Sequence, residues 1–214
     1  MRKVKRKYDS AHRKQLTGKT REQILESARR LFRDRGYGRV TIDDIAAAAA
    51  VAVPTVYATF GGKRAILMQL LDEMEKAADA PALVELLKNR AGDERARLRA
   101  FTDFSVRLFT EDNDLIRIAM LAGAADPDVA VLWETGDARR LAACRAVLEG
   151  CEQRGLLREG LTEARAVDIL WALASAEFYG MFVRGRQWTP AQFADWLYQL
   201  AAEQLFRASP QPRA

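Results

Sequence analysis

The side chains of this 214-residue chain best suited to hold a polyanion lie between Thr20 and Lys63. Thr41 and Lys63 each open an apolar-periodic segment, where the free N–H groups and dipole of a helix N-terminus already favour an anion. Tyr57 adds a hydroxyl, and Arg39 a guanidinium just ahead of Thr41. The run Val53 to Thr59 contains Val53, Pro54, Thr55, Tyr57, Ala58 and Thr59 but no Arg, Lys, Asn or Gln. Bidentate base contacts are therefore missing from it. Apolar contacts, with thymine methyl groups as natural partners, are the chemistry that remains. Arg39 and DNA shape are the further sources of selectivity.

Other chemistries lack their residues. No HExxH, glycine-rich phosphate loop or Cys–His arrangement occurs outside the basic start of the chain, so an enzyme is not expected and no cofactor is implied. The only histidine is His12, which leaves Cys144 and Cys151 without partners for a metal. Seven residues apart on a helix, the two cysteines are separated by a rise of about 10 Å, too far for a disulfide. They are expected as small apolar residues on one face.

Charge narrows the partner. Met1 to Arg64 holds 16 Lys/Arg against 6 Asp/Glu, a net +10, whereas the remainder carries −5. A basic head on a mildly acidic body suits double-stranded DNA, or an anionic membrane surface, at the head alone. MRKVKRKYDS resembles the start of a signal peptide, but no apolar stretch follows it. No run of about eighteen uninterrupted apolar residues is present, so a membrane span is not expected and the cytoplasm is the expected compartment.

The elements that must position these groups are helical, since apolar residues recur at helical spacing and no alternating strand stands out. Residues 1–18 are expected as a basic flexible arm, with Arg2, Lys3, Lys5, Arg6 and Lys7 entering a minor groove or tracking phosphates. A helix from Thr20 to Arg35 supplies Ile24, Leu25, Ala28, Leu31 and Phe32, and Gly36 stops it. Thr41 caps a short helix beginning at Ile42. A tight turn at Ala50 and Val51 leads to a second short helix from Val53 to Phe60. Such a unit can lay its second short helix in a major groove while the first crosses the backbone. Beyond Lys63, helices are expected around Leu83–Leu87, from Asp93, over Asp114–Gly123, and from Pro127 to Arg154. Two more run from Thr162 to Val183 and from Pro190 to Phe206, followed by a frayed tail over 208–214. An all-α protein of about nine to ten helices results, with a head over 19–64 and a helical body over 65–207.

TIDDIAAAAAVAVPTVYATFGGKRAIL, preceded by REQILESARRLFRDRGY, resembles the DNA-binding domain of tetracycline-repressor-like (TetR family) regulators. Ala28, Leu31, Phe32, Gly36, Thr41, Ile45, Ala46, Val51, Thr55, Val56, Tyr57, Phe60 and Lys63 carry the likeness, over roughly Lys19 to Leu71. Two positions depart from it. Ala50 stands where a turn glycine is usual, and Ala52 where Ser or Thr usually caps.

The resemblance implies a sequence-specific transcriptional regulator: a dimeric repressor on a palindromic operator, released by a small-molecule effector bound in the body. It also implies that the last two long helices pair across a homodimer, through Ile169, Leu173, Phe193, Trp196, Leu197 and Leu200. Phe104, Leu108, Arg117, Met120, Trp133, Trp171 and Phe178 are the candidate pocket residues, with Arg117 either a polar handle for an anionic ligand or, as its neighbours favour, a solvated or ion-paired surface residue. A DNA-binding regulator or architectural factor of the same fold without a small-molecule inducer shares the head but needs no cavity.

Overall fold

A computed structural model of the chain describes residues 8–88 and 93–207. Within them lie ten α-helices and one 3-10 turn. The arm positions Arg2, Lys3, Lys5, Arg6 and Lys7 fall outside the described residues, as does the tail over 208–214. Helix α1 runs Tyr8–Arg35, so it begins at Tyr8 rather than Thr20. The added stretch is rich in Ala, Arg, Lys, Gln and Leu, good helix formers that outweigh the cost of Gly18. A 3-10 turn, Tyr37–Arg39, follows, and then the short helices α2 (Ile42–Ala48) and α3 (Val53–Phe60).

The body holds α4 (Lys63–Ala77), α5 (Ala80–Lys88), α6 (Glu94–Gly123) and α7 (Pro127–Leu148). It continues with α8 (Glu163–Leu173), α9 (Ala176–Val183) and α10 (Pro190–Leu205). Three of these differ from the sequence expectation. Helix α6 joins the two segments expected around Asp93–Phe109 and Asp114–Gly123, with a kink at Asp112 (φ −160°, ψ 71°). Asp112 Oδ1 accepts from Leu115 N at 3.0 Å, so the kink residue caps the second half of the helix. Helix α7 stops at Leu148, where Gly150 takes φ +74°. Cys151 then lies in a turn rather than on the helix, although both cysteines are free and buried as expected.

The third difference is a break in the segment expected to run unbroken from Thr162 to Val183. Ala174 leaves helical geometry, and Ser175 caps α9 by accepting from Phe178 N at 3.2 Å. The two helices meet at a bend of 45°. Arg140 of α7 donates through Nη1 to Trp171 O (2.7 Å) and Ala174 O (3.0 Å), satisfying carbonyls freed by the break. After α10 the chain returns, and an antiparallel bridge joins Leu157 to Phe206.

Head and body share one core. Ile24, Phe32, Ile45, Val56, Ile66 and Leu67 of the head and α4 are fully buried and cluster with Leu115, Ile118, Ala119 and Val129 of the body. Each such side chain contributes about 1.5–3 kcal/mol by leaving water, so the boundary near Arg64 is bridged rather than hinged on a loose linker. Among the described residues no single helix is long and apolar enough to cross a membrane.

Candidate nucleic-acid interface and cavity

Local chemistry shapes the reading unit. Thr41 forms a complete capping box with Asp44: its hydroxyl accepts from Asp44 N (3.1 Å) and donates to Asp44 Oδ2 (2.7 Å), while Thr41 N also donates to that carboxylate. Those two bonds hold the Asp44 carboxyl below the usual carboxylate range, with Arg35 adding a smaller pull. Helix α2 ends in a Schellman turn, in which Ala50 N donates to Ala47 O and Val51 N to Ala46 O. Ala50 therefore adopts φ +53°, the left-handed geometry that glycine normally supplies. The turn keeps its shape without glycine and carries strain instead. Ala52 caps α3 with no side-chain bond, while Pro54 sits in its first turn.

The turn sets α3 at 106° to α2, within the range of helix-turn-helix units. Val56 is completely buried and fixes the rotation of α3. Pro54, Tyr57 and Ala58 are then exposed, flanked by half-buried Val53, Thr55 and Thr59. Thr59 donates its hydroxyl to Thr55 O at 2.7 Å. Arg39 and Thr41 are exposed beside this face. Pro54, Tyr57 and Ala58 thus share the exposed side of α3, opposite Val56.

Lys63 is placed differently from the others. Its Nζ donates to Tyr37 O (2.9 Å) and Val40 O (2.8 Å) and lies 4.2 Å from the centre of the Tyr37 ring. Burial pulls its pKa below the ordinary lysine value, with Asp126 opposing. Two of its three N–H groups are therefore engaged inside the protein. The ammonium pins the start of α4 to the 3-10 turn, an arrangement invisible in the sequence because that turn was not expected.

A cavity of about 1030 Å³ lies among α4, α5, α6 and α7. Of the candidate pocket residues, Phe104, Leu108 and Trp133 line it, together with Phe101, Ser105, Phe109, Met74, Leu83 and Leu87. The missed α6 residues repeat the three- and four-residue spacing of Phe104 and Leu108, the signal that would have found them. Arg117, Met120, Trp171 and Phe178 lie elsewhere. Arg117 is exposed and pairs with Asp114 at 3.7 Å. Met120 is half-buried away from the lining. Trp171 stands behind the polar wall: its Nε1 donates to Asp137 at 3.2 Å, and Arg140 lies 4.6 Å over its ring. Phe178, carried by the break to α9, stacks on Trp196 at 5.7 Å.

Of the candidate dimer residues, Ile169, Leu173, Trp196 and Leu200 are half-buried. Phe193 and Leu197 are fully buried in this protomer's own core, against Met74, Phe109 and Tyr179. They point inward, which corrects their placement on an outer face.

Residues 24–70 match the family described as bacterial regulatory proteins, tetR family. Over this segment, under a quarter of its length, the chain is similar to the TetR family. The match begins within α1 and ends within α4, the elements that supply the head's side of the shared core. EthR from Mycobacterium tuberculosis, a transcriptional regulator of helix-turn-helix type, is 33% identical over 133 residues. That match covers 62% of this chain and 61% of EthR, so under two thirds of that relative is matched. Among solved structures, NalD, a repressor of a multidrug efflux pump in Pseudomonas aeruginosa, superposes with a TM-score of 0.71 at 22% identity. It covers 89% of this chain and 98% of NalD. SmeT in complex with triclosan superposes with a TM-score of 0.68 at 19% identity, over 91% and 99% of the two chains. The likeness of fold therefore extends through the body, well beyond the TetR match in sequence.

Proposed function

We propose that this chain is a sequence-specific DNA-binding transcriptional regulator, acting as a homodimeric repressor on a palindromic operator and released by a small molecule bound in the body. The observation that carries this reading is the outer face of α3. Its exposed Pro54, Tyr57 and Ala58, with Thr55 and Thr59 beside them, stand on a helix braced at 106° by α2. A helix so presented fits the major groove, and one head covers only one half-site, so two copies are required. The half-exposed Ile169, Leu173, Trp196 and Leu200 of α8 and α10 supply an apolar outer surface for pairing.

The cavity supports ligand release. Its volume of about 1030 Å³ matches the upper range of small-molecule sites, and its wall is mostly aromatic and aliphatic. It lies between α4, which begins the body at Lys63, and α6, which packs on the head through Leu115 and Ile118. A ligand that favours one spacing of these helices over another shifts the head with it. NalD is a repressor and SmeT binds triclosan, which is consistent with this reading.

Selection of bound fragments from genomic DNA by the purified full-length protein tests the proposal. A palindromic consensus with half-sites one or two helical turns apart is the expected result. Fragments recovered without sequence preference at any salt concentration would overturn it.

A further inference from the structure

Two charged side chains are buried among the described residues, and they differ in what they meet. Asp112 is paired with two arginines. Arg97, in the first turns of α6 and 2% exposed, has no hydrogen-bond partner at Nε or Nη2. The carboxylates that precede it on the helix are engaged elsewhere. Glu94 faces Arg154 at 3.7 Å, and Asp93 accepts from Arg95 N to cap the helix. Cys151 lies within electrostatic reach: burial raises its thiol pKa, while Arg154 and, more weakly, Arg97 pull it back. A guanidinium keeps its charge under all ordinary conditions, and burying it without a counter-charge is strongly unfavourable.

The position of Arg97 gives the missing anion a source. Arg97, Phe101, Phe104 and Leu108 recur at three- and four-residue spacing along one face of α6, and the last three line the cavity. Lys88, which closes α5, and Glu149, just past α7, also line it, while Arg97 stands one helical turn before Phe101, just outside the lining. The two lining arginines offer no competing anchor. Arg139 pairs with Glu75 at 2.7 Å, and Arg140 with Asp137 at 2.6 Å.

We propose that Arg97 receives the anionic end of the cavity's ligand, which is therefore an amphipathic carboxylate: one acid group on an apolar chain or ring system. The apolar part fills the space beside Phe104 and Leu108. The acid group extends past Phe101 and meets the planar fork of Arg97, whose geometry matches a carboxylate. This inference deepens the ligand-release reading and rests on it for the cavity being a binding site.

Calorimetric titration of the full-length protein with decanoate and with decanol tests the assignment, because the two differ only at the head group. The wild type is expected to bind decanoate about tenfold tighter or more, the worth of a charge-assisted hydrogen bond. In Arg97→Met the two affinities should converge on that of decanol, with decanol binding unchanged. Arg97→Lys should keep part of the preference. The ligand-free Arg97→Met protein should also melt higher than the wild type, since an apolar side chain replaces an unpaired buried charge.

Equal binding of the two probes by the wild type, binding of neither, or a lowered melting temperature in Arg97→Met would each overturn the inference. The parent reading has its own readout, release of the operator fragment. Preference for decanoate without release would leave the Arg97 assignment standing and remove ligand control. Release by both probes at equal affinity would do the reverse.

Discussion

Oδ2 of Asp112 lies 3.1 Å from Nη1 of Arg29, although 83 residues separate them. The same oxygen is 3.0 Å from Nη2 of Arg33, and Arg29 also approaches Glu73 of α4 at 4.0 Å. One carboxylate at the kink of α6 thus joins α1 of the head to the body while capping the second half of its own helix. Asp112→Ala should lower the unfolding free energy by about 2–3 kcal/mol, because it strips the cap and leaves the largely buried Arg29 guanidinium without its carboxylate partner at the kink. Asp112→Asn keeps a cap acceptor and should cost about 1 kcal/mol. Urea denaturation of the three proteins checks the order. Equal stability of Asp112→Ala and the wild type would remove the bridge as a structural tie.

The turn between α2 and α3 carries strain that can be relieved. Ala50 at φ +53° holds a left-handed conformation that disfavours an L side chain by about 1–2 kcal/mol. Ala50→Gly should therefore raise the unfolding free energy by about 1 kcal/mol, somewhat offset by the greater freedom of glycine when unfolded. Ala52→Ser should add about 1 kcal/mol by giving α3 the side-chain cap it lacks. For a chain of this size each increment corresponds to about 2–4 °C in melting temperature. The sites are two residues apart and share a turn, so the double variant tests whether the gains add. A fall in melting temperature for Ala50→Gly would show that the turn is not strained.

What the sequence makes legible here is what local chemistry decides. Thr41, Asp93, Thr162 and Thr189 cap helices where their residue types indicate, because a cap bond closes within three residues. The outer face of α3 follows from the periodicity that buries Val56. Distant partners decide the rest. The kink at Asp112 is stabilised by Arg29 and Arg33, and the break at Ala174 by Arg140. That break turns Phe178 into the aromatic cluster of α9 and α10 and takes it off the cavity wall. Phe193 and Leu197 show the limit of counting apolar residues on a helix: a broad apolar face does not reveal which side meets the protomer's own core.

Alkaline pH should weaken the fold through two buried acids. Burial raises the Tyr37 phenol from its ordinary 10 to about 12, with Asp126 adding to the rise and Arg64 opposing it. Burial likewise raises the Cys144 thiol from 9 to about 12. In the unfolded chain each group ionises near its ordinary value, so between about pH 9 and pH 12 the unfolded state binds fewer protons. Stability is then intact below about pH 9 and is lost as pH rises toward 12. Tyr37 accounts for about 2 kcal/mol of that loss, taking 1.36 kcal/mol per pKa unit as an order of magnitude. Urea denaturation from pH 8 upward should give a shallower decline for Tyr37→Phe and for Cys144→Ala than for the wild type. Parallel curves would contradict the assignment.

Thr55 and Lys63 should separate selectivity from affinity. Thr55 lies on the face of α3 proposed to read DNA, so Thr55→Ala should lower discrimination at one base pair by about 1–3 kcal/mol while leaving non-specific binding unchanged. Lys63 acts from inside the head. Lys63→Met keeps the stem over Tyr37 but loses the bonds to Tyr37 O and Val40 O, which loosens the start of α4 against the 3-10 turn. Its affinity should fall for specific and non-specific DNA alike. A direct phosphate contact would lower the salt slope by about one on removal, whereas a positioning group leaves the slope as it is. Fluorescence anisotropy over a series of salt concentrations distinguishes the two. An unchanged slope with uniformly weaker binding fits a lysine whose two bonds point inward, and a slope reduced by one would place its third N–H on the DNA backbone instead.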